Sequence, residues 1–185
     1  MTTIISIIVV VVLVLAVVGL YNNMVKLRNN RENAFADIDV QLKLRHDLIP
    51  NLVETVRGYM KHEASVLQAV TEARSGAVQA RTIDEKIAAE NKLGSALQGL
   101  KVTVESYPDL KANQNFLRLQ DEISDVENKI AASRRFFNSA TKEYNTSIQT
   151  FPANIMAGMF NFHKEVFFDL GTERAAVSET PKVQF

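Results

Sequence analysis

The 185-residue chain has no cysteine, no tryptophan, only four prolines and seven glycines, and no net charge. Without cysteine there is no disulfide framework, no thiolate metal site and no lipid-modified cysteine. Basic and acidic side chains balance at 21 each. No global basic field is therefore available to hold nucleic acid, and no nucleic-acid partner is expected. So few chain breakers, set among abundant Ala, Leu, Glu, Lys and Gln, point to helices and not to a sheet.

Charge is also missing from the N-terminus, where the first charged side chain is Lys26. From Ile4 to Leu20 every residue except Ser6 and Gly19 is Ile, Val, Leu or Ala. At 1.5 Å per residue this run covers about 26 Å, close to the hydrocarbon thickness of a bilayer. A cleaved signal peptide needs a basic start and a small-residue cleavage site. Met1-Thr2-Thr3 has no charged side chain and Val17-Val18-Gly19 is a poor site, so the segment reads as an uncleaved anchor. Residues 4–20 are thus expected to meet the lipid bilayer. Tyr21 stands where an interfacial aromatic belongs, and Lys26, Arg28, Arg31, Lys43 and Arg45 follow it. The positive-inside rule then predicts a single-pass protein of the cell membrane, with the N-terminus outside and the C-terminal domain cytoplasmic.

The rest reads by period. Phe35, Ile38, Leu42, Arg45, Ile49, Leu52, Val56 and Tyr59 form one stripe at spacings of three and four. Pro50 lies within it, removes one backbone donor, and leaves the His46 carbonyl without its helical partner. Because the stripe keeps phase across Pro50, a bend is expected and not a termination. Turns are expected near 58–63 and near Gly76. Thr82 and Glu85 then match a capping box, opening a seam of Ile83, Ile87, Leu93, Leu97, Leu100 and Val104. Tyr107-Pro108-Asp109 ends it. A third, coiled-coil-like seam runs Phe116, Leu119, Ile123, Val126, Ile130, Ser133, Phe137, Ala140, Tyr144, Ser147 and Phe151. Arg118, Asp121, Glu122, Glu127 and Lys129 are assigned to its outer face. Pro152 closes it and opens a shorter helix through Ala153–Phe162.

Long helices with one apolar stripe each bury it only against one another. The predicted fold is all-α: an N-terminal transmembrane helix, then an antiparallel bundle of three to four long helices. The expected domains are an anchor over 1–22, a helical bundle over 23–170 and a loose tail over 171–185. No Gly/Ser/Pro linker separates Leu20 from Phe35, so the span is expected to run straight into the first bundle helix.

Several blocks carry a family resemblance. They include Tyr21-Asn22-Asn23, Leu27-Arg28-Asn29, the run Arg45-His46-Asp47-Leu48-Ile49-Pro50-Asn51-Leu52-Val53-Glu54, and Tyr107-Pro108-Asp109-Leu110-Lys111-Ala112-Asn113. With Phe151-Pro152-Ala153-Asn154 and Phe167-Phe168, these make nearly the whole chain resemble the LemA family. Phe137 departs from the pattern, which would place tyrosine there. The resemblance implies a bacterial membrane protein with an N-terminal anchor and a helical-bundle domain, and it supplies no catalytic mechanism.

The residues offer little chemistry. None of His46, His62 and His163 falls in a His-Glu-x-x-His or Glu-x-x-His spacing, and the preferred reading for the histidines is a solvated or turn position. No serine lies in Gly-x-Ser-x-Gly. Gly94 and Gly99 are read as permitting close helix packing, and the acceptor triplet Asn145-Thr146-Ser147 as incidental. No catalytic residue, metal site or cofactor is expected.

Arg45 sits on an apolar stripe and needs a carboxylate partner or an escape to water. With His46, Asp47 and Pro50 it forms a candidate site. Either a buried Arg–carboxylate pair fixes the bundle's register, or the kink opens a docking groove for a partner. Phe160, Phe162, Phe167 and Phe168 belong to a C-terminal apolar cluster, read either as end-packing of the bundle or as an exposed patch for a partner or a bilayer surface. The functional expectation is a non-enzymatic scaffold or adaptor for an unknown membrane-associated protein. The alternatives are an enzyme using Arg45, His46, Asp47 and Asp109, or a self-associating protein that shapes the membrane.

Overall fold

The structure, a computed structural model, describes residues 1–60 and 62–168; the expected tail over 171–185 lies outside the described residues. The described residues are helical with short connections, in six helices. These are α1 (Thr2–Arg57), α2 (Ala64–Gln79), α3 (Ile83–Val104), α4 (Pro108–Lys111), α5 (Gln114–Ser147) and α6 (Ala153–Met159). The chain divides into two compact units, Met1–Asp37 with Ser133–Phe167, and Ile38–Ala132 with Phe168.

In the first unit α1 is long and apolar enough to cross a membrane, and none of its apolar stretch is buried against protein. Leaving such side chains in water costs about 1.5 kcal/mol or more each, so α1 has the length and the apolar surface of a membrane anchor. Beyond the span, α1 pairs antiparallel with the end of α5. Phe35 meets Phe137 with ring centroids 5.4 Å apart, and Arg31 meets Thr141. Met24 and Leu27 then pack with Tyr144, Ile148 and the α6 residues Ala153, Met156 and Ala157.

α5 ends at Ser147, one turn earlier than the seam predicts; Ile148 is buried and Phe151 is 81% exposed. Residues 148–151 form a turn ahead of Pro152, and it leaves Phe151 facing outward. α6 likewise stops at Met159 and not at Phe162. Asn161 adopts φ 60°, and the Phe162 amide donates to the Ala157 carbonyl at 2.9 Å. This left-handed residue followed by a six-residue return bond is a helix stop that asparagine tolerates. It folds Phe162 back onto the cluster, against which Leu20 also packs.

In the second unit α1 passes unbroken through Pro50, as the stripe predicts. Seven of its eight stripe residues are buried; Tyr59 is half-exposed and Met60 takes the inward position. Both expected reversals occur, over 58–63 and 80–82, although Gly76 stays within α2. The capping box forms: the Glu85 amide donates to Thr82 Oγ1, and the Thr82 amide to Glu85 Oε2, each at 3.2 Å. Asn113 caps α5 by accepting from the Phe116 amide at 3.0 Å. Asp39 pairs with Lys86, and six residues on Arg45 meets Glu90, so α1 and α3 run parallel with α2 reversed between them. The first half of α5 returns alongside, completing a four-helix bundle whose core includes Ile49, Val56, Val70, Leu93, Leu100 and Phe116. Gly94 and Gly99 do not serve close packing, since a Cβ at either would meet nothing within 4 Å.

Candidate functional site

In the second unit α1 buries Arg45 on its apolar stripe, 4% exposed. One guanidinium nitrogen donates to Glu127 Oε1 of α5 at 2.6 Å, and the other to Glu90 Oε2 of α3. The second Glu90 oxygen lies 2.7 Å from His46 Nε2. Arg74 Nε of α2 donates to the His46 carbonyl at 2.7 Å. That carbonyl is the one Pro50 deprives of a helical donor, and α2 supplies the replacement from outside α1. Burial alone pushes the Arg45 pKa down; the Glu127 and Glu90 carboxylates and their hydrogen bonds outweigh it and hold it above the ordinary arginine value. Arg45 is therefore charged at every physiological pH.

Of the predicted residues, the structure brings Arg45 and His46 together. His46 is nearly buried and bonded, not solvated. Asp47 stays outside, 59% exposed and 3.5 Å from Lys43, and Asp109 is exposed away from the cluster. Pro50 is exposed and acts only through the carbonyl it frees. Sequence reasoning missed Glu90, Glu127 and Arg74. Glu90 had a signal, because it fills the gap between Ile87 and Leu93 on an apolar seam. Glu127 lies not on a fully outer face but turned toward Arg45, its side chain 36% exposed.

Every oxygen of Glu90 and both terminal nitrogens of Arg45 are engaged within the network. The arrangement ties four helical segments at one level and opposes the Arg45 cation with two carboxylates. Among the described residues no group of three metal-ligating side chains converges. An open concavity of about 750 Å³ lies between α2 and α3, lined largely by Ala69, Ala73, Ala88, Ala89 and Ala96, with Glu72, Glu85 and Lys92 among its polar lining residues.

The first unit holds a second buried cation. Arg31, read above as a flanking charge, is 3% exposed. It pairs with Glu165 at 3.1 Å, donates to Thr141 Oγ1 at 3.2 Å and to the Val166 carbonyl at 3.3 Å, and lies 4.8 Å over the Phe137 ring. Asn145 and the Glu165 backbone exchange two hydrogen bonds of 2.9 Å, and the Tyr144 hydroxyl donates to the His163 carbonyl at 3.0 Å. Residues 163–166 are thereby fastened along α5, and Asn145 is a buried structural amide.

The C-terminal aromatic cluster divides. Phe160 and Phe167 are about half exposed, and Phe162 is partly packed. Phe168 is 2% exposed and is not part of any surface patch. Tyr21 meets Phe160 and Phe162 edge-on, with ring centroids 4.9 and 5.8 Å away.

Comparison with known proteins places residues 34–185 within the profile of the LemA family. The chain is 28% identical over 155 residues to Protein LemA of Metamycoplasma hominis, covering 82% of this chain and 69% of that protein. It is 22% identical over 191 residues to Magnetosome protein MamQ 2 of Paramagnetospirillum magneticum, covering 89% and 70%. The corresponding MamQ of Magnetospirillum gryphiswaldense is 22% identical over 174 residues, covering 80% and 64%.

Proposed function

The chain belongs to the LemA family, and on that premise we propose that it works as a membrane-tethered, non-enzymatic scaffold for a membrane-associated protein. One observation carries the reading. The polar side chains best suited to chemistry, Arg45, His46, Glu90 and Glu127, bond to one another between the packed helices, an arrangement that supports a role in setting the register of the bundle. Buried ion networks add little net stability, and in some proteins they select one helix alignment over others. The names of the relatives come from two settings, and a shared helical support whose outer surface selects the partner fits both.

In this reading the protein is single-pass in the cell membrane, with its helical domain on the cytoplasmic side. Burial removes Arg31 and Arg45 from the free cations, and Lys26 and Arg28 beside the span keep the bias. A cysteine at exposed position 102 (Val102→Cys) should resist membrane-impermeant maleimide in intact cells; ready labelling there would overturn the orientation.

The scaffold reading is tested by photo-crosslinking in the native membrane from the exposed positions Leu44, Val78 and Val102. The expected result is a discrete adduct with one membrane-associated protein. Adducts only between copies of this chain would replace the scaffold with a self-assembling structure, and no adduct from any position would overturn it.

A further inference from the structure

We propose that Phe151, Ile155, Met159 and Phe160 form an apolar foot that rests in the interfacial layer of the same bilayer that α1 enters. The inference goes beyond the scaffold reading and rests only on the first unit. From Tyr144 to Phe162 the chain has no charged side chain, over nineteen residues bracketed by Lys142-Glu143 and His163-Lys164. α6 divides this stretch into two faces. Ala153, Met156 and Ala157 are buried against Met24, Leu27, Tyr144 and Ile148. Ile155 and Met159, four apart on the other side, are 55% and 72% exposed, with Phe151 at 81% before them and Phe160 at 48% after. Large apolar side chains gathered at one place on a surface mark a contact with something apolar.

The position along α1 decides what covers them. Leu20, the last residue of the apolar span, packs against the same cluster as α6, and Tyr21 touches Phe160 and Phe162 directly. Met24 and Leu27 lie only about 6 and 10 Å further along the helix axis. The polar layer on each side of the hydrocarbon is about 5–8 Å deep. The exposed face of α6 is therefore held at the level where the span leaves the hydrocarbon. An uncharged apolar surface there lowers its free energy by entering the headgroup–acyl boundary, as amphipathic segments do. The turn at Asn161 is what returns Phe162 to the end of the span and keeps α6 at this depth.

The chain's lack of tryptophan makes the test direct. Full-length protein with a single tryptophan at Met159→Trp, Phe151→Trp, Leu13→Trp or Phe136→Trp is placed in phosphatidylcholine vesicles brominated on the acyl chains. Position 13 reports the anchor. Position 136 is exposed beside the Phe35–Phe137 contact, about 22 Å along α1 from Leu20, and reports solvent. Tryptophans at 151 and 159 should lose at least about twofold more fluorescence than that at 136, as buried interfacial rings do. If 13 is quenched while 151 and 159 match 136, the foot is overturned and the anchor survives. If 13 is not quenched, the anchor falls with it. Unquenched fluorescence at 159 with a crosslink between copies through that residue would assign the face to a second copy, and overturn the proposal.

Discussion

Pro50→Ala and Arg74→Met, made singly and together, measure how far α2 supports α1 from outside. Proline within a helix costs about 3 kcal/mol, through a lost hydrogen bond and a ring clash. In this protein the lost bond is replaced, because Arg74 Nε reaches the His46 carbonyl at 2.7 Å. A hydrogen bond with a charged donor contributes about 1.5–3 kcal/mol, and half-burial of Arg74 places this one near the lower end. Methionine keeps most of the arginine stem's packing, so Arg74→Met should cost about 1.5 kcal/mol, nearly all of it the hydrogen bond. Pro50→Ala restores an amide donor within α1 and should stabilise by about 1–2 kcal/mol. In that background the carbonyl is already bonded, and Arg74→Met should cost less than about 0.5 kcal/mol. The two changes are thus coupled by about 1 kcal/mol. Urea midpoints of the full chain in nanodiscs, followed by far-ultraviolet circular dichroism, give all four values. Equal costs of Arg74→Met in both backgrounds would refute the claim that the arginine stands in for the missing donor.

Arg45→Leu strands Glu90 in the bundle and should destabilise by about 3–5 kcal/mol, whereas Arg45→Leu with Glu90→Leu should recover most of the loss; thermal melts of both variants decide, and an equally unstable double variant would sink the pairing. Gly99→Ala in α3 should stabilise by about 0.5–1 kcal/mol, because the added methyl meets nothing and the backbone loses freedom only in the unfolded chain; a lower urea midpoint would contradict this. The Tyr107 hydroxyl donates to the Glu63 carboxylate, which with burial and the Glu63 charge raises its pKa above the ordinary tyrosine value. A raised pKa means stability present below the unfolded value and lost as pH rises through the folded one. Urea midpoints should therefore fall above about pH 10, and Tyr107→Phe should flatten part of that fall, the remainder coming from Tyr144, which burial and then Glu165 also raise. An unchanged slope in Tyr107→Phe would refute the assignment.

The helices were legible because their apolar residues recur at helical spacing, and local caps such as Thr82–Glu85 act within one turn. Arg45 was legible as a problem, a charge on an apolar stripe, but its solution lay 45 and 82 residues away on other helices. Glu90 posed the matching problem on its own seam. Two such gaps on adjacent helices identify a pair more securely than either does alone. Arg31 escaped because a cation beside a membrane span has a ready explanation in topology, and only the return of residues 165–166 shows that it is enclosed. Phe151 was misplaced because periodicity extrapolates past Ser147, where α5 gives way to a turn ahead of Pro152.

The cluster at the base of the anchor also sets an order of events. Met24 and Leu27 are covered by Ala153, Met156 and Ala157, about 130 residues later in the chain. At about 5–20 residues per second of synthesis, that cover arrives some 6–26 seconds after the residues it protects. Through that interval the apolar base of a newly inserted chain faces whatever lies at the membrane surface. Truncation before residue 148 would leave it so permanently. The part of the molecule nearest the membrane is therefore among the first made and the last finished.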